Sequence, residues 1–376
     1  MISKLHGPGR SRPRVSSRLR GLTQRLLACL LPLFISGCAG RSEHHLISGD
    51  HGAIVDAPLQ HGDYSEGNSA AWLGFLLTAS VNGYAQDVVT AKYVAPKAEA
   101  LAARARFERS ELSVLWIGHS TFLVRIGGVT ILTDPVFSNA AAPLQLGGPQ
   151  RYAPPALEID ELPPVDVVVV SHNHYDHLDD TSLARLARRF PLAKLILPKG
   201  NEAHGVLAGF AGTVGAIPGQ AVTVAGLRLI ALPAYHETSR FGIDADQTRA
   251  LGYYLKAGRA GVYFAGDTAY GPLFKQIRSA YGAPDVALVP IGAYEPHKET
   301  RFVHTSPEEA MRVASDLGAK VAVGMHWGTF PLSGEPVFEP ARRFLRSGRN
   351  GGPKPEVLRI GGYLDLSAYR SAANPS

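Results

Sequence analysis

The stretch that most restricts the fold is an abrupt change of texture between residues 165 and 190. Val165-Asp166-Val167-Val168-Val169-Val170 is a short apolar run of the kind that forms a buried strand. It is followed by Ser-His-Asn-His-Tyr-Asp-His-Leu-Asp at 171–179. Asp179, Asp180 and Thr181 then offer helix caps ahead of the helical spacing Leu183, Leu186, Ala187 and Phe190. A core strand that passes through a polar loop into an amphipathic helix is a unit of an α/β fold. Groups at the carboxyl end of such a strand lie where open α/β sheets place their sites.

The loop itself carries His172, His174, Asp176 and His177 within six positions. Imidazole nitrogens and carboxylate oxygens are the ligands that borderline divalent metals such as zinc prefer. On an extended segment His172 and His174 point to the same side, because side chains alternate with period two. Where the chain turns toward the helix, Asp176 and His177 diverge from that pair and can reach a second ion. The bland alternative, a polar loop rich in histidine by chance, does not account for the flanking strand and capped helix.

Three further residues repeat the theme. His236 follows the apolar run Leu229–Leu232, Asp267 ends Val262-Tyr263-Phe264-Ala265-Gly266, and His326 follows Val321–Met325. A single histidine at a strand end is more often a core residue than a ligand, but three candidates beside an intact loop form a set. A carboxylate can bridge two ions about 3.5–4 Å apart, and Asp267 is the natural bridge.

Elsewhere the chain reads as alternating strands and helices. Strands are predicted at Leu112–Ile117, Thr121–Ile126 and Val129–Thr133, with Gly127-Gly128 as a hairpin turn. Further strands are predicted at Lys194–Leu197, Val222–Val224, Leu227–Leu232, Gly252–Leu255, Val262–Ala265, Val286–Pro290, Lys320–Val323 and near Val357–Ile360. Helices are predicted over Ala95–Arg109, from the Ser306-Pro307-Glu308-Glu309 capping box onward, and near Pro340–Arg346.

The formal charge of +6 over 376 residues tempts one toward nucleic acid. Residues 1–37, however, hold Lys4, Arg10, Arg12, Arg14, Arg18, Arg20 and Arg25 without an acid, and setting these seven against +6 leaves −1. No polyanion partner is implied. The basic stretch, the apolar run Leu26–Ile35 and the small residues before Cys38 read as an export signal, too short to span a bilayer. Ile35-Ser36-Gly37-Cys38 resembles a bacterial lipobox, which would lipidate Cys38 and place the protein in the cell envelope, at the outer membrane of a Gram-negative cell. Cys29 and Cys38 are the only cysteines, so a metal site must be built from His, Asp and Glu. The expected organisation is a signal peptide over 1–37, a tether over 38–68, a helical segment over 69–111 that includes an apolar helix at Ala70–Ala79, and the main α/β domain over 112–365.

Six segments carry a resemblance. They are Trp116–Thr121, Thr133–Ser138, the loop 171–179, Phe264–Thr268, Pro290–Pro296 and His326–Phe330. In this order they resemble the metallo-β-lactamase superfamily and, within it, the N-acyl-phosphatidylethanolamine-hydrolysing phospholipase D family. The resemblance implies an α/β fold, an αββα sandwich of two mixed sheets with helices outside. It implies two zinc ions, with iron or manganese as alternatives: His172, His174 and His236 on one, Asp176, His177 and His326 on the other, and Asp267 shared. It further implies a metal-bound hydroxide that attacks phosphorus in a phospholipid or another small ester or phosphodiester, with Asp176 and His304 taking part in catalysis. His304 would protonate the leaving group or orient the phosphate, His119 would hold a supporting hydrogen bond, and Asp134 would orient a ligand histidine. The family usually has an aromatic residue where this chain has Glu237, and nothing before Leu112 matches clearly. A lactonase or sugar-phosphate hydrolase of the same fold is the enzymatic alternative, and a non-catalytic metal-binding envelope lipoprotein the other.

Overall fold

The computed structural model describes residues 93–369, except 146, 241–243, 245, 349–350 and 368. The leader, Cys38, the tether and the helix expected at Ala70–Ala79 lie outside the described residues.

The strands β1–β6 are Leu112–Gly118, Thr121–Ile126, Val129–Thr133, Val167–Val169, Lys194–Pro198 and Gly212–Ala216. Strands β7–β12 are Ala221–Val224, Leu227–Pro233, Leu251–Ala257, Ala260–Phe264, Val286–Pro290 and Val321–Met325. They are followed by β13 (Lys354–Glu356) and β14 (Tyr363–Asp365). One sheet has the order β14-β1-β2-β3-β4-β5-β6 and the other β13-β12-β11-β10-β9-β8-β7. Both follow one plan. The pairings from β14 to β3 and from β7 to β10 are antiparallel. Those from β3 to β6 and from β10 to β13 are parallel.

This pairing has a geometric consequence. In the first sheet β1, β3 and β4 run the same way, and in the second β8, β10 and β12 do, so within each sheet their carboxyl ends emerge at one edge. Those ends lead into His119, Asp134, His172, His236, Asp267 and His326. The two edges are tied directly to each other. The Tyr253 hydroxyl on β9 donates to Val170 O at 2.7 Å, and Leu251 N donates to Ser171 O at 2.9 Å. Gly266 belongs at this seam: its φ is +59°, and a Cβ there would stand 2.5 Å from Ser171 Cβ.

The sheets enclose a single buried apolar cluster to which both contribute, including Trp116, Phe122, Val168, Leu229, Tyr253 and Phe264. Helices cover them. α1 (Lys97–Phe107) packs on β1 and β14, while α2 (Asp180–Arg189) lies on α3 (Glu202–Ala208), which rests on β5 and β6. On the second sheet α4 (Leu273–Tyr281) is followed by the short α5 (His297–Thr300), α6 (Pro307–Leu317) and α7 (Glu339–Arg346). Helix α6 packs on α4, α7, β11 and β12. The αββα arrangement is the one the resemblance implied.

Some elements depart from expectation. No strand covers Val357–Ile360. The strands lie on either side of it, and the span joins them, with Ile360 bridging Val94. The Gly361-Gly362 pair ends the run that its apolar residues suggest. Sequence reading also passed over β6, a half-buried edge strand of sequence GTVGA with little apolar pattern to see. It missed α3 and α4 too. The latter has no side-chain cap but buries Leu273, Phe274 and Ile277.

The capping box at α6 formed as expected: Glu309 N donates to Ser306 Oγ at 3.3 Å and Ser306 N to Glu309 Oε2 at 2.9 Å. Ser306→Ala should therefore lower the unfolding free energy by about 1 kcal/mol. Urea denaturation followed by circular dichroism reads this directly, and an unchanged midpoint would show that the cap contributes nothing.

Candidate metal centre

His172 and His174 follow shortly after β4. The chain then turns, with His177 N and Leu178 N both donating to His174 O, at 3.0 and 2.8 Å. That turn brings Asp176 and His177 toward His326, while the His177 ring stays 4.1 Å from that of His172. His326 is held at φ +61° with its N–H on His119 O at 3.2 Å.

Two groups of ligand atoms result. In the first, His174 Nδ1 stands 3.0 Å from His172 Nε2 and 3.2 Å from His236 Nε2. In the second, His177 Nε2 and His326 Nε2 are 3.2 Å apart, and Asp176 Oδ2 is 3.3 Å from each. Asp267 Oδ2 lies between the groups, 2.9 Å from His326 Nε2, 3.2 Å from His177 Nε2 and 3.9 Å from His236 Nε2. Ligands about 2.0–2.1 Å from a tetrahedral zinc ion are separated from one another by roughly 3.3–3.4 Å, so these spacings fit a shared metal. Asp267 Oδ1 is buried without a hydrogen-bond partner, as a carboxylate oxygen kept for a cation would be.

The surrounding hydrogen bonds set which nitrogen each ring presents. His236 Nδ1–H donates to Val303 O at 2.8 Å, which leaves its Nε2 lone pair facing the cluster. His177 Nδ1–H donates to Asp134 Oδ2 at 2.6 Å. The same carboxylate accepts from Ser171 Oγ and from Ser171 N, both at 2.6 Å. Ser171 Oγ in turn accepts from His172 Nδ1 at 2.9 Å. One buried aspartate thus orients His177 directly and His172 through Ser171, one histidine from each group. His119 makes the supporting contact expected of it, Nε2 to Asp176 Oδ2 at 3.0 Å.

Charge is balanced inside the cluster. Burial would raise the carboxyls of Asp176 and Asp267, but the imidazoles of His177 and His326 outweigh it and hold both well below the ordinary carboxylate range. Burial works against a charge on His326, yet Asp267 and Asp176 raise its pKa to about 9; with Asp134 added, they hold His177 well above its usual value. The remaining imidazoles are neutral. Burial and neighbouring histidines lower His172 far below its ordinary range. Burial lowers His174 to about 4 and His236 to about 3. Neighbouring carboxylates therefore favour protonation of His177 and His326, whose nitrogens a divalent cation would compete for.

His304 sits at the rim, its Nδ1 3.9 Å from Asp267 Oδ2 and its ring 4.9 Å from that of His236. His172, His177, His236, Asp267 and His326 are buried, whereas His174, Asp176 and His304 are partly exposed, so the cluster opens on that side. His204 pairs instead with Asp180 at 2.6 Å, His297 faces Glu309 at 3.7 Å, and the Glu237 residue is exposed. Sequence reasoning missed Ser171, whose signal is only its place between the strand and the first histidine. It also missed Arg240, which no motif marks.

Residues 129–327 match the beta-lactamase superfamily domain. The chain belongs to that family. A Caenorhabditis elegans protein named N-acyl-phosphatidylethanolamine-hydrolyzing phospholipase D 1 is 34% identical over 238 residues, which is 59% of this chain and 65% of the relative. A Methanopyrus kandleri protein named as a metal-dependent hydrolase is 31% identical over 255 residues, 66% of this chain and 96% of the relative. A solved structure titled a novel metallo hydrolase, from Ignicoccus hospitalis, superposes with a TM-score of 0.50 at 25% identity, covering 67% of this chain and 97% of that one. The chain thus spans about two thirds of the worm protein and nearly all of the archaeal ones. The described residues have the metallo-β-lactamase fold and a histidine and carboxylate cluster that could hold metal.

In this cluster Asp134 supports ligands of both groups, so Asp134→Asn is expected to weaken metal binding by about 10- to 100-fold. Competition with a fluorescent chelator measures this, and parental affinity in the variant would refute the role.

Proposed function

We propose that this protein is a metal-dependent hydrolase, a binuclear phosphodiesterase that cleaves phospholipids of the N-acyl-phosphatidylethanolamine type. The observation that carries the two-metal reading is Asp267 Oδ2, which faces His236 on one side and His177 and His326 on the other. In this reading His172, His174 and His236 hold one ion, Asp176, His177 and His326 hold the second, and Asp267 is common to both. Zinc suits such a nitrogen and oxygen set without thiolates, and bound zinc would lower the pKa of water toward neutrality and polarise phosphoryl oxygens.

The chain's own side chains do the rest. The buried ligands keep bulk water from one side, while the partly exposed His174, Asp176 and His304 border the side from which a substrate enters. Burial lowers His304 to about 3, so its imidazole is neutral. Its place at the rim, beside Asp267 and His236, suits it to orient a phosphoryl oxygen or to protonate the leaving group. The choice of a phospholipid rests on the worm relative's name and on the six matching segments. A lactonase or sugar-phosphate hydrolase is the second reading, favoured by the fact that the chain spans 96% of a relative named only as a metal-dependent hydrolase. Cys38 would tether the protein to the envelope close to lipid. Among the described residues no helix is long and apolar enough to cross a membrane.

The test is turnover by purified protein loaded with zinc, iron or manganese on parallel panels of phosphodiester lipids and lactones. Release of phosphatidic acid from N-acyl-phosphatidylethanolamine is expected; lactone turnover without it would overturn the phospholipase reading. Asp267→Asn and His174→Ala should each lose bound metal, read by elemental analysis after gel filtration, together with nearly all turnover. Variants that kept two metals and full activity would sink the ligand assignment. Blocked processing of a Cys38→Ala precursor is the outcome that supports the lipid tether, and normal processing would remove it.

A further inference from the structure

Four residues beyond His236, on the segment that follows β8, Arg240 reaches back over the ligand loop. Its side chain is only 9% exposed. Nη1 donates to Asn173 O at 2.9 Å and to Leu178 O at 2.8 Å. Nη2 pairs with Asp180 Oδ2 at 2.9 Å, and the guanidinium lies over the Tyr175 ring with Cζ 4.0 Å from its centroid. A second strap runs beside it: Arg240 N donates to one oxygen of Asp244, and Asn173 Nδ2 donates to the other at 3.2 Å.

The two carbonyls that Arg240 takes are not arbitrary points on the loop. Asn173 O lies between His172 and His174, and Leu178 O comes directly after His177. They bracket His174, Asp176 and His177, which belong to both groups of ligand atoms. A guanidinium is planar, always charged and rigid in the spacing of its donors. One nitrogen shared by both carbonyls therefore holds the ends of the turn at a set separation, while the Tyr175 face and Asp180 compensate the buried charge.

We propose that Arg240 is a positioning residue that holds the 173–178 turn in its ligand-presenting shape before metal arrives, and so raises the affinity of both ligand groups. The inference rests on reading the cluster as a metal centre. The contacts of Arg240 given above include no ligand atom; it acts through the backbone of the loop. Without it the turn samples more conformations in the metal-free protein, and metal binding must order them.

The full chain with Arg240→Ala and with Arg240→Lys tests this. Lysine keeps the charge and can still reach one carbonyl, but a single ammonium does not reproduce the fork or the stacking on Tyr175. The expected result is zinc affinity about 10- to 100-fold weaker for both binding events in Arg240→Ala. Arg240→Lys should melt close to the parent in the metal-free state yet bind zinc about 10-fold or more weakly. Amide hydrogen exchange of residues 173–178 in the metal-free lysine variant should be faster than in the parent. Should the alanine variant fail to fold, the lysine variant decides the matter alone. A lysine variant with parental zinc affinity and parental exchange in the loop would overturn the proposal and reduce Arg240 to a stabilising contact. A parent protein that binds no metal would instead overturn the metal-centre reading, and this inference with it.

Discussion

Carboxylates brought into a protein interior must be compensated where they stand, and the structure is arranged around that requirement. Asp134, Asp176 and Asp267 meet His177 and His326 in a space closed to water on all but one side. A buried carboxylate without partners would neutralise itself or destabilise the fold by several kcal/mol. Here each has specific donors. Asp134 takes the Ser171 hydroxyl, the Ser171 amide and His177; Asp176 takes His119; Asp267 takes His177 and His326. The same contacts that settle the charge also orient the rings, so stability of the metal-free protein and readiness for a cation come from one set of hydrogen bonds.

The sandwich makes this possible because it brings the ends of two sheets to one seam. No single sheet supplies enough ligands. The first contributes the 172–177 loop from β4 and the second contributes His236, Asp267 and His326 from β8, β10 and β12. The seam is closed by backbone and side-chain bonds from β9 to Val170 and Ser171, and by a glycine at 266 that lets the two sheets approach. Sites at the carboxyl ends of strands are common in α/β sheets. In this chain two sheets use the rule at once.

Much of this was legible in the sequence, for reasons that can be stated element by element. The central strands could be read because residues buried on both faces are apolar without interruption, as at Val167–Val169 and Val286–Pro290. Helix α6 was announced by a local code of cap, proline and glutamate. The edge strand β6 was not legible, since GTVGA packs through its backbone and a half-buried face. The strands β13 and β14 were misplaced because the apolar residues between them serve as a bridge and a core plug, not as a ladder. Periodicity reports burial, and at the edge of a sheet burial and pairing part company.

The sequence by itself determined the chemistry that is possible: histidine and carboxylate ligands, placed at strand ends, with no cysteine after Cys38. Those facts are local, written in residue type, spacing and the strand before each residue. Only the tertiary structure decided which ligands share a point in space. His174 and His236 are 62 residues apart and His177 and His326 are 149 apart, yet each pair meets within 3.2 Å. The shared placement of Asp267 and the grip of Arg240 on the loop follow from the packing of one sheet on the other, and the double duty of Asp134 from the pairing of β3 with β4. No local pattern encodes them, because a separation across the seam depends on every layer between.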